Sequence, residues 1–331
     1  LNVQMQNTVQ DILNDRSNLQ VDVNNGDPTD SDGVPLLQAS ATIIDYKTGQ
    51  VKVLIGGRGN QPSASLNRAY FDLKSIGSTT KPLTVYGPAI DTKLITAGTP
   101  LDDTSVSEEI LEKYNFGSVV PKNADGSMFG YITAREALTY SKNLTSIKTV
   151  DMLGLDTALN YGKKAGLKYA PQSHTMSALA LGQFDQPIGN RDGGNTTILA
   201  SAYGAFGNNG VIYEPALYTK VEDASGNLLL EKEPISTKLF SPQTSYIIYD
   251  ILKGSSTSAQ FNDIPVAGKT GTTNSSDNFW FAGLTPYYSG SVWIGYDNPQ
   301  RMNGKSSSAA SLFSKIMAVA HEGLEYKDIE K

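Results

Sequence analysis

Residues 266–298 read VAGKTGTTNSSDNFWFAGLTPYYSGSVWIGYDN, and this stretch decides the fold class. It contains three short runs rich in β-branched and aromatic residues (VAGKTGT, NFWFAGLT and SGSVWIGYDN), with turn-forming residues between them. Such runs predict consecutive β-strands joined by short turns. We expect these strands to belong to an antiparallel sheet.

The segments on either side of this stretch complete the sheet and cover it. Residues 38–57 give two further β-rich runs around a Lys47-Thr48-Gly49 turn, which is a hairpin pattern. Residues 311–324 have apolar positions at helical spacing and predict a helix that covers the sheet. Between them, roughly residues 130–210 show mainly helical spacing. This order indicates an α+β fold, in which an antiparallel sheet is flanked by helices and a largely helical subdomain is inserted between its strands.

These patterns divide the chain into an N-terminal linker segment, residues 1–34, and one domain, residues 35–331. Within the domain we expect strands at about 35–75 and 256–305, the helical subdomain at about 76–255 and a C-terminal helix at about 306–323. The linker segment contains an amphipathic helix with Val9, Ile12 and Leu13 on one face. The acidic loop at 24–33 has no assigned role. A calcium-loop alignment puts Pro28 and Ala39 at its first and last ligand positions, so calcium is an alternative reading only.

The composition excludes several kinds of chemistry. The 331 residues include no Cys, so thiol nucleophiles, disulfides and cysteine-bound metals are excluded. The only histidines are His174 and His321, and we interpret both as surface or packing residues. A net charge of -6 gives no basic footprint for nucleic acid. No run of about 18 apolar residues is present, so we expect no membrane-spanning helix in these residues.

The first candidate motif is Ser78-Thr79-Thr80-Lys81, at the start of a stretch expected to be helical. Residues three apart share one face of a helix, so the Ser78 hydroxyl and the Lys81 amine can meet. A lysine can act as the base for a serine nucleophile if burial and neighbouring positive charge lower its pKa. The motif alone is weak, because an ordinary helix turn has the same pattern.

Two further motifs supply the remaining groups. In Ser141-Lys142-Asn143, the Ser141 hydroxyl could relay a proton and the Asn143 amide could hold both the lysine and a substrate carbonyl. In the strand-like run 269–273, Lys269 and the neighbouring hydroxyls suit a substrate carboxylate. We assign substrate binding to this run, at Thr270, Gly271, Thr272 and Thr273. The backbone amides of Ser78 and Thr272 could form an oxyanion hole.

Three other segments have similar sequences, but their positions in the chain argue against a catalytic role. Lys47-Thr48-Gly49 precedes the nucleophile and lies at a hairpin turn. Ser276-Asp277-Asn278 follows the Lys269 motif too closely, in what we interpret as a turn between strands. Gly268-Lys269-Thr270 would end a phosphate loop only if position 263 were Gly, and it is Asp.

Together the three accepted motifs match the set used by serine β-lactamases and penicillin-binding proteins. From about Leu37 onward, the chain resembles the transpeptidase domain of class A penicillin-binding proteins, the bifunctional peptidoglycan synthases of bacteria. The matching segments are residues 43–49, 77–82, 130–133 leading into 141–143, 269–273, 278–286 and 293–296.

This resemblance implies the penicillin-binding protein and serine β-lactamase type of fold, and a D,D-transpeptidase that cross-links peptidoglycan stem peptides. Ser78 would attack the D-alanyl-D-alanine carbonyl to form an acyl-enzyme, which an acceptor amine then resolves, and β-lactams would acylate the same serine. It implies that Lys81 is the general base, Ser141 the proton relay and Asn143 the organiser of base and substrate. Lys269, with Thr270 and Thr272, would hold the terminal carboxylate, and no metal or organic cofactor is expected.

Class A members also carry a glycosyltransferase domain and a membrane anchor ahead of this region. We therefore expect the chain to come from a larger synthase at the extracytoplasmic face of the bacterial membrane. Three alternatives stay open: a D,D-carboxypeptidase, a serine β-lactamase and a penicillin-sensing domain. The nearest match to a lactamase water-activating motif, Asp156-Thr157-Ala158-Leu159-Asn160, lies within helical periodicity, and we assign it to packing.

Overall fold

The computed structural model describes residues 1–63, 65–184, 192–255 and 257–331. In chain order its helices and strands are α1 (Val3–Asn14), β1 (Leu37–Asp45), β2 (Gln50–Ile55), α2 (Gly87–Asp91), β3 (Pro100–Asp103), α3 (Glu108–Lys113), β4 (Gly130–Thr133), α4 (Ala134–Thr139), α5 (Asn143–Leu153), α6 (Leu155–Lys164), α7 (Met176–Leu181), α8 (Thr196–Gly204), β5 (Val211–Tyr213), β6 (Lys220–Glu222), β7 (Leu228–Glu231), β8 (Ser236–Lys238), α9 (Pro242–Lys253), β9 (Ala267–Thr272), β10 (Asn278–Leu284), β11 (Ser289–Tyr296) and α10 (Ser307–Ala320). No helix in these described ranges is long and apolar enough to cross a bilayer.

The main sheet has five strands in the order β2-β1-β11-β10-β9, and every neighbouring pair is antiparallel. This confirms the antiparallel sheet of the α+β prediction, with its last three strands formed by the stretch 266–298. The register places Lys269 opposite Ala282 and Trp280 opposite Trp293. Strand β9, which carries the Lys269 motif, therefore lies at an edge of the sheet.

The two faces of the sheet pack against different layers because side chains alternate along each strand. On β10, Trp280, Ala282 and Leu284 belong to the core that the sheet shares with the helical block. Helix α8 packs against this face of the sheet. Phe279 and Phe281 belong to a second core. That second core is covered by α10, as predicted, and by α1.

The N-terminal residues pack closely on the domain. Helix α1 begins after Asn2, whose side chain accepts a hydrogen bond from the Met5 amide, and it buries Val9 and Leu13 as the apolar spacing predicts. Arg58 is buried and binds Asp27 of the acidic loop with two hydrogen bonds of 2.8 and 2.7 Å. The assignment of residues 1–34 to a linker stays a prediction, but this segment contributes to the second core.

The strand and helix predictions differ from the structure in two places. Strand structure in the N-terminal region ends at Ile55, and the described residues of 56–75 form no strand of the sheet. There Gly56 and Gly57 pack closely against the side chains of Asn67 and Arg68, and the buried Arg58 guanidinium donates to the Leu37 carbonyl. The chain beyond Ile55 therefore makes side-chain contacts in place of strand pairing. The largely helical region also contains three small two-stranded sheets, β3-β4, β5-β8 and β6-β7. Positions 64, 185–191 and 256 of the predicted regions lie outside the described residues.

Candidate active site

The predicted nucleophile lies on a tight helical turn held against the sheet edge. Gly77–Thr80 forms a single 3₁₀ turn, and a π turn follows at Pro82–Tyr86. The Gly182 carbonyl accepts hydrogen bonds from the amides of Ile76 and Gly77, both at 3.1 Å. These bonds fix the turn and leave Ser78 partly exposed at its end.

Gly77 has the backbone conformation and the contact that require glycine. Its φ is +55°, and a Cβ at this position would lie 2.5 Å from the Thr272 carbonyl oxygen. A Cβ at Gly271 would lie 2.3 Å from the Ile76 carbonyl oxygen. The nucleophile turn and strand β9 are therefore in direct backbone contact, which brings the Ser78 and Thr272 residues to one place.

Lys81 is fully buried and its amine is surrounded by the Ser141–Asn143 turn. Its Nζ lies 2.6 Å from the Ser141 carbonyl oxygen and 2.8 Å from Asn143 Oδ1. The Lys142 carbonyl oxygen is at 3.2 Å and Ser141 Oγ at 3.4 Å. The structure thus joins the first two predicted motifs through one amine. Among the described residues, no hydrogen bond joins that amine to the Ser78 hydroxyl.

Ser141 and Asn143 are held by local geometry that the sequence pattern did not indicate. Ser141 has φ +59°, a left-handed conformation that is uncommon for a residue with a Cβ. It separates α4 from α5, within a region for which the sequence predicted mainly helical spacing. The Asn143 side-chain NH₂ donates to the Lys122 carbonyl at 2.8 Å, so the amide turns its oxygen toward Lys81.

The pKa values of the two buried lysines are both lowered, that of Lys81 more strongly. Burial is the main cause that holds the pKa of Lys81 well below its ordinary value, and the nearby positive charge of Lys269 lowers it further. The carboxylate of Asp103 acts in the opposite direction. Burial also lowers the pKa of Lys269 to about 7. Lys81 therefore has the property that a lysine base requires.

The strand motif presents its residues in alternation. Lys269 and Gly271 are buried, whereas Thr270 and Thr272 are partly exposed. The Thr273 amide donates to the Asn278 carbonyl oxygen, toward β10, at 3.4 Å. Successive backbone amides of a strand point to opposite sides, so the amides of Thr270 and Thr272 point away from β10. Thr273 itself is buried, and its hydroxyl donates to Asp277 in the following turn. Of the four residues assigned to substrate binding, Thr270 and Thr272 are the ones open to a ligand.

The segments that resemble the motifs lie where the sequence placed them. Lys47-Thr48-Gly49 forms the β1–β2 turn. Ser276 has φ +56° in the turn before β10, and Asn278 Oδ1 accepts a hydrogen bond of 2.8 Å from the Trp293 indole. Within the described ranges, no three His, Asp or Glu side chains form a group that could hold a metal ion.

Sequence reasoning missed the residues that surround this site from the β3 side. Asp103 and Asn123 are buried, and Asn123 contacts the first residues of α5. The Lys142 side chain is also buried beside Asp103. No motif marks Asp103 or Asn123, because each acts through contacts with residues that are about twenty positions or more away in the sequence.

Comparisons with known proteins identify the family of the chain. The family described as "Penicillin binding protein transpeptidase domain" matches residues 39–318. Penicillin-binding protein 1A of Clostridium perfringens strain 13 is 53% identical over 333 residues, covering 98% of this chain and 49% of that protein. Penicillin-binding protein 1A of Clostridium acetobutylicum is 44% identical, covering 100% of this chain and 41% of that protein. The chain thus spans about half the length of the curated relatives it matches, or less.

Solved structures share the fold at low sequence identity. The PonA1 protein from Mycobacterium tuberculosis in complex with penicillin V has a TM-score of 0.78 at 18% identity, covering 100% of this chain and 87% of that chain. The D,D-transpeptidase domain of a peptidoglycan glycosyltransferase from Eggerthella lenta has a TM-score of 0.72 at 20% identity, covering 98% of this chain and 82% of that chain.

Proposed function

This chain belongs to the family of penicillin-binding protein transpeptidase domains, and we propose that Ser78 is its nucleophile. The domain is a serine D,D-transpeptidase that β-lactams acylate. The observation that carries the residue assignment is the convergence of three distant segments. Lys81 lies inside the Ser141–Asn143 turn, and Gly77 lies against Thr272.

In the acylation step, Ser78 Oγ attacks the carbonyl of the penultimate D-alanine while Lys81 takes the hydroxyl proton. A neutral amine has two N–H groups and one lone pair. The two shortest contacts of Lys81, to Ser141 O and Asn143 Oδ1, can take both N–H groups. The lone pair is then free to accept the Ser78 proton.

The charge that develops on the carbonyl oxygen needs hydrogen-bond donors already in place. We assign this role to the backbone amides of Ser78 and Thr272, since Gly77 and Thr272 are in backbone contact and the Thr272 amide points away from the sheet. Lys269, with the exposed hydroxyls of Thr270 and Thr272, would bind the terminal carboxylate.

Collapse of the tetrahedral intermediate breaks the peptide bond, and the leaving D-alanine amine must gain a proton. We assign the relay to the Ser141 hydroxyl, which lies 3.4 Å from Lys81 Nζ. The ester at Ser78 is then attacked by an amine of a second stem peptide, which restores the serine hydroxyl and forms the cross-link.

Labelling with a fluorescent penicillin tests the nucleophile directly. We expect the parent chain to be labelled and Ser78→Ala to remain unlabelled, because only Ser78 can form the ester. Lys81→Ala should also abolish labelling. Label that survives the Ser78 substitution contradicts the assignment.

A matched pair of lysine variants tests the choice of motif. Lys269→Ala should weaken labelling strongly, whereas Lys47→Ala, in the same Lys-Thr-Gly sequence at the β1–β2 turn, should leave it unchanged. The reverse result would show that the Lys269 motif was the wrong choice.

The fate of the acyl-enzyme separates the alternatives. A stable label with aminolysis of a thioester or stem-peptide substrate supports transpeptidation. Transfer of the same substrate to water alone would indicate a D,D-carboxypeptidase, and rapid loss of the penicillin label would indicate a β-lactamase. A stable label without any substrate turnover would indicate a penicillin sensor.

We also propose that the chain is part of a longer, membrane-anchored synthase with a glycosyltransferase domain, acting at the extracytoplasmic face on peptidoglycan. The support is the name penicillin-binding protein 1A shared by relatives about twice as long. The full-length protein should partition with membranes and polymerise lipid-linked disaccharide, and partition into the soluble fraction would contradict this.

A further inference from the structure

The middle residue of the Ser141–Asn143 turn has a side chain to which the proposed chemistry gives no role. Lys142 is buried, with its Nζ 2.6 Å from Ser127 Oγ, 3.0 Å from Asp125 Oδ2 and 3.7 Å from Asp103 Oδ2. Its amine also lies 3.5 Å from the centre of the Phe129 ring. A buried charge is costly unless it is paired and hydrogen-bonded, so this arrangement is specific. We call Asp103, Asn123 and Lys142 the support cluster.

Asn123 connects this cluster to the start of α5. Its Oδ1 accepts hydrogen bonds from the amides of Asn143, at 2.7 Å, and Leu144, at 3.2 Å. Its Nδ2 donates to Asp103 Oδ1 and to the Ser127 carbonyl, both at 2.7 Å. The amide thus uses both donors and both acceptor positions. It caps a helix whose own N-cap residue, Lys142, makes no side-chain capping bond.

The adjacent residue completes the link to the active site. The Lys122 carbonyl accepts from Asn143 Nδ2 at 2.8 Å, which fixes the side-chain amide with its oxygen toward Lys81. The backbone amide and the side chain of Asn143 are therefore both held by consecutive residues of one segment. That segment is in turn held by Asp103 and Lys142.

We infer that the support cluster is a positioning device for the base: it holds residues 122 and 123 against the start of α5 and so fixes the Asn143 oxygen that contacts Lys81. Lys142 and Asn123 are positioning residues, since they act through Asn143 and the backbone of the turn. This inference rests on the proposed role of Lys81.

The chain offers a matched control for the lysine. Lys148 lies on α5, the helix that Lys142 precedes, and its Nζ is 2.8 Å from Oδ2 of Asp102, the neighbour of Asp103 in β3. It therefore also joins this helical region to β3 by an ion pair, at a more exposed position, since its side chain is 18% exposed against 1% for Lys142. Within the described residues, its side chain forms no hydrogen bond with Asn123 or Asn143.

The experiment measures the time course of acylation by a fluorescent penicillin over a range of concentrations, which separates the rate at saturation from the half-saturating concentration. Lys142→Met should lower the saturating rate by about tenfold or more and change the half-saturating concentration by less than about twofold. Lys148→Met should leave both values near those of the parent. Thermal unfolding of each variant accompanies the kinetics.

A second variant covers the case in which Lys142→Met does not fold. Asn123→Ala removes the connecting amide without removing a charge, and it should give the same selective loss of rate. Parental saturating rates in either folded variant would overturn the inference, and so would equal losses in Lys142→Met and Lys148→Met. Labelling of Ser78→Ala would instead overturn the proposed function, so the two failures are distinguishable.

Discussion

At the scale of single residues, the site depends on two buried lysines, and the positive charge of either one disfavours a positive charge on the other. Lys81 and Lys269 are both nearly inaccessible, and the charge of Lys269 helps to lower the pKa of Lys81. The two are proposed to need opposite protonation states, because the base must be neutral and the carboxylate-binding group must be charged. The pKa of about 7 for Lys269 makes its charge sensitive to neutral pH.

A pH dependence of substrate binding follows from that value. Lys269 is protonated below about pH 7 and loses its charge above it, so the half-saturating concentration of a fluorescent penicillin should rise as pH increases through 7. Lys269→Arg should remove this rise, since a guanidinium stays protonated. Acylation measured between pH 5.5 and 9 checks both outcomes, and a flat profile in the parent would contradict the role of Lys269.

Gly77 provides a second prediction at the residue scale. Gly77→Ala introduces a Cβ 2.5 Å from the Thr272 carbonyl oxygen, so it should reduce acylation by about a hundredfold by separating the turn from β9. Gly226 is the matched control, with φ +84° and no atom within 4 Å of a Cβ built there. Gly226→Ala should cost only about 1 kcal/mol of unfolding free energy and leave acylation intact. Similar acylation in both variants would contradict the contact.

At the scale of elements, the sequence patterns predicted the five strands of the main sheet and its covering helix, but not the turn that separates α4 from α5. Residues 132–154 show helical spacing, yet the structure contains the end of β4, then α4, a left-handed turn at Ser141 and α5. The turn is fixed by contacts with Lys81 and with residues 122 and 123. These partners are distant in sequence, so local propensity could not reveal it.

Helix α4 gives a prediction at this scale. Thr133 and Glu136 form a reciprocal capping box, in which each side chain accepts from the other residue's backbone amide. Thr133→Ala should lower the free energy of unfolding by about 1 kcal/mol, because the Glu136 amide in the first helical turn loses its acceptor. Thr139, at the other end of α4, makes no side-chain hydrogen bond within the described residues, so Thr139→Ala is the control. Chemical denaturation of both variants measures the difference.

At the scale of the whole molecule, the two faces of the main sheet pack against two separate hydrophobic cores. One face supports the helical block that contains the site, and the other is closed by α1 and α10. His321 ends α10 in a buried position, where its Nδ1 lies 2.7 Å from the Met317 carbonyl and its Nε2 lies 2.8 Å from Thr285 Oγ1. Its role is thus in packing, as the sequence indicated.

The burial of His321 predicts how stability changes with pH. Burial lowers the pKa of His321 to about 4, below its ordinary value of 6.5. The unfolded chain therefore binds this proton first, and the free energy of unfolding should fall as pH decreases from about 6.5 to 4, by at most about 1.4 kcal/mol per pH unit from this group. His321→Gln should reduce that decline, whereas His174→Gln, at an exposed position, should not. Denaturation at several pH values tests this, and parallel declines in all three proteins would contradict it.

The sequence by itself determined the strands of the sheet, the helix that covers it and the three motifs, because periodicity and residue type are local properties. It also indicated a base other than cysteine or histidine, because the chain has no Cys and its two His were interpreted as surface or packing residues. Only the tertiary structure decided that Lys81 reaches the Ser141–Asn143 turn, that Gly77 lies against Thr272, and that Asp103 and Asn123 support the site. Burial, pKa and the orientation of an amide depend on neighbours from distant segments, and those neighbours exist only once the sheet and helical block have packed.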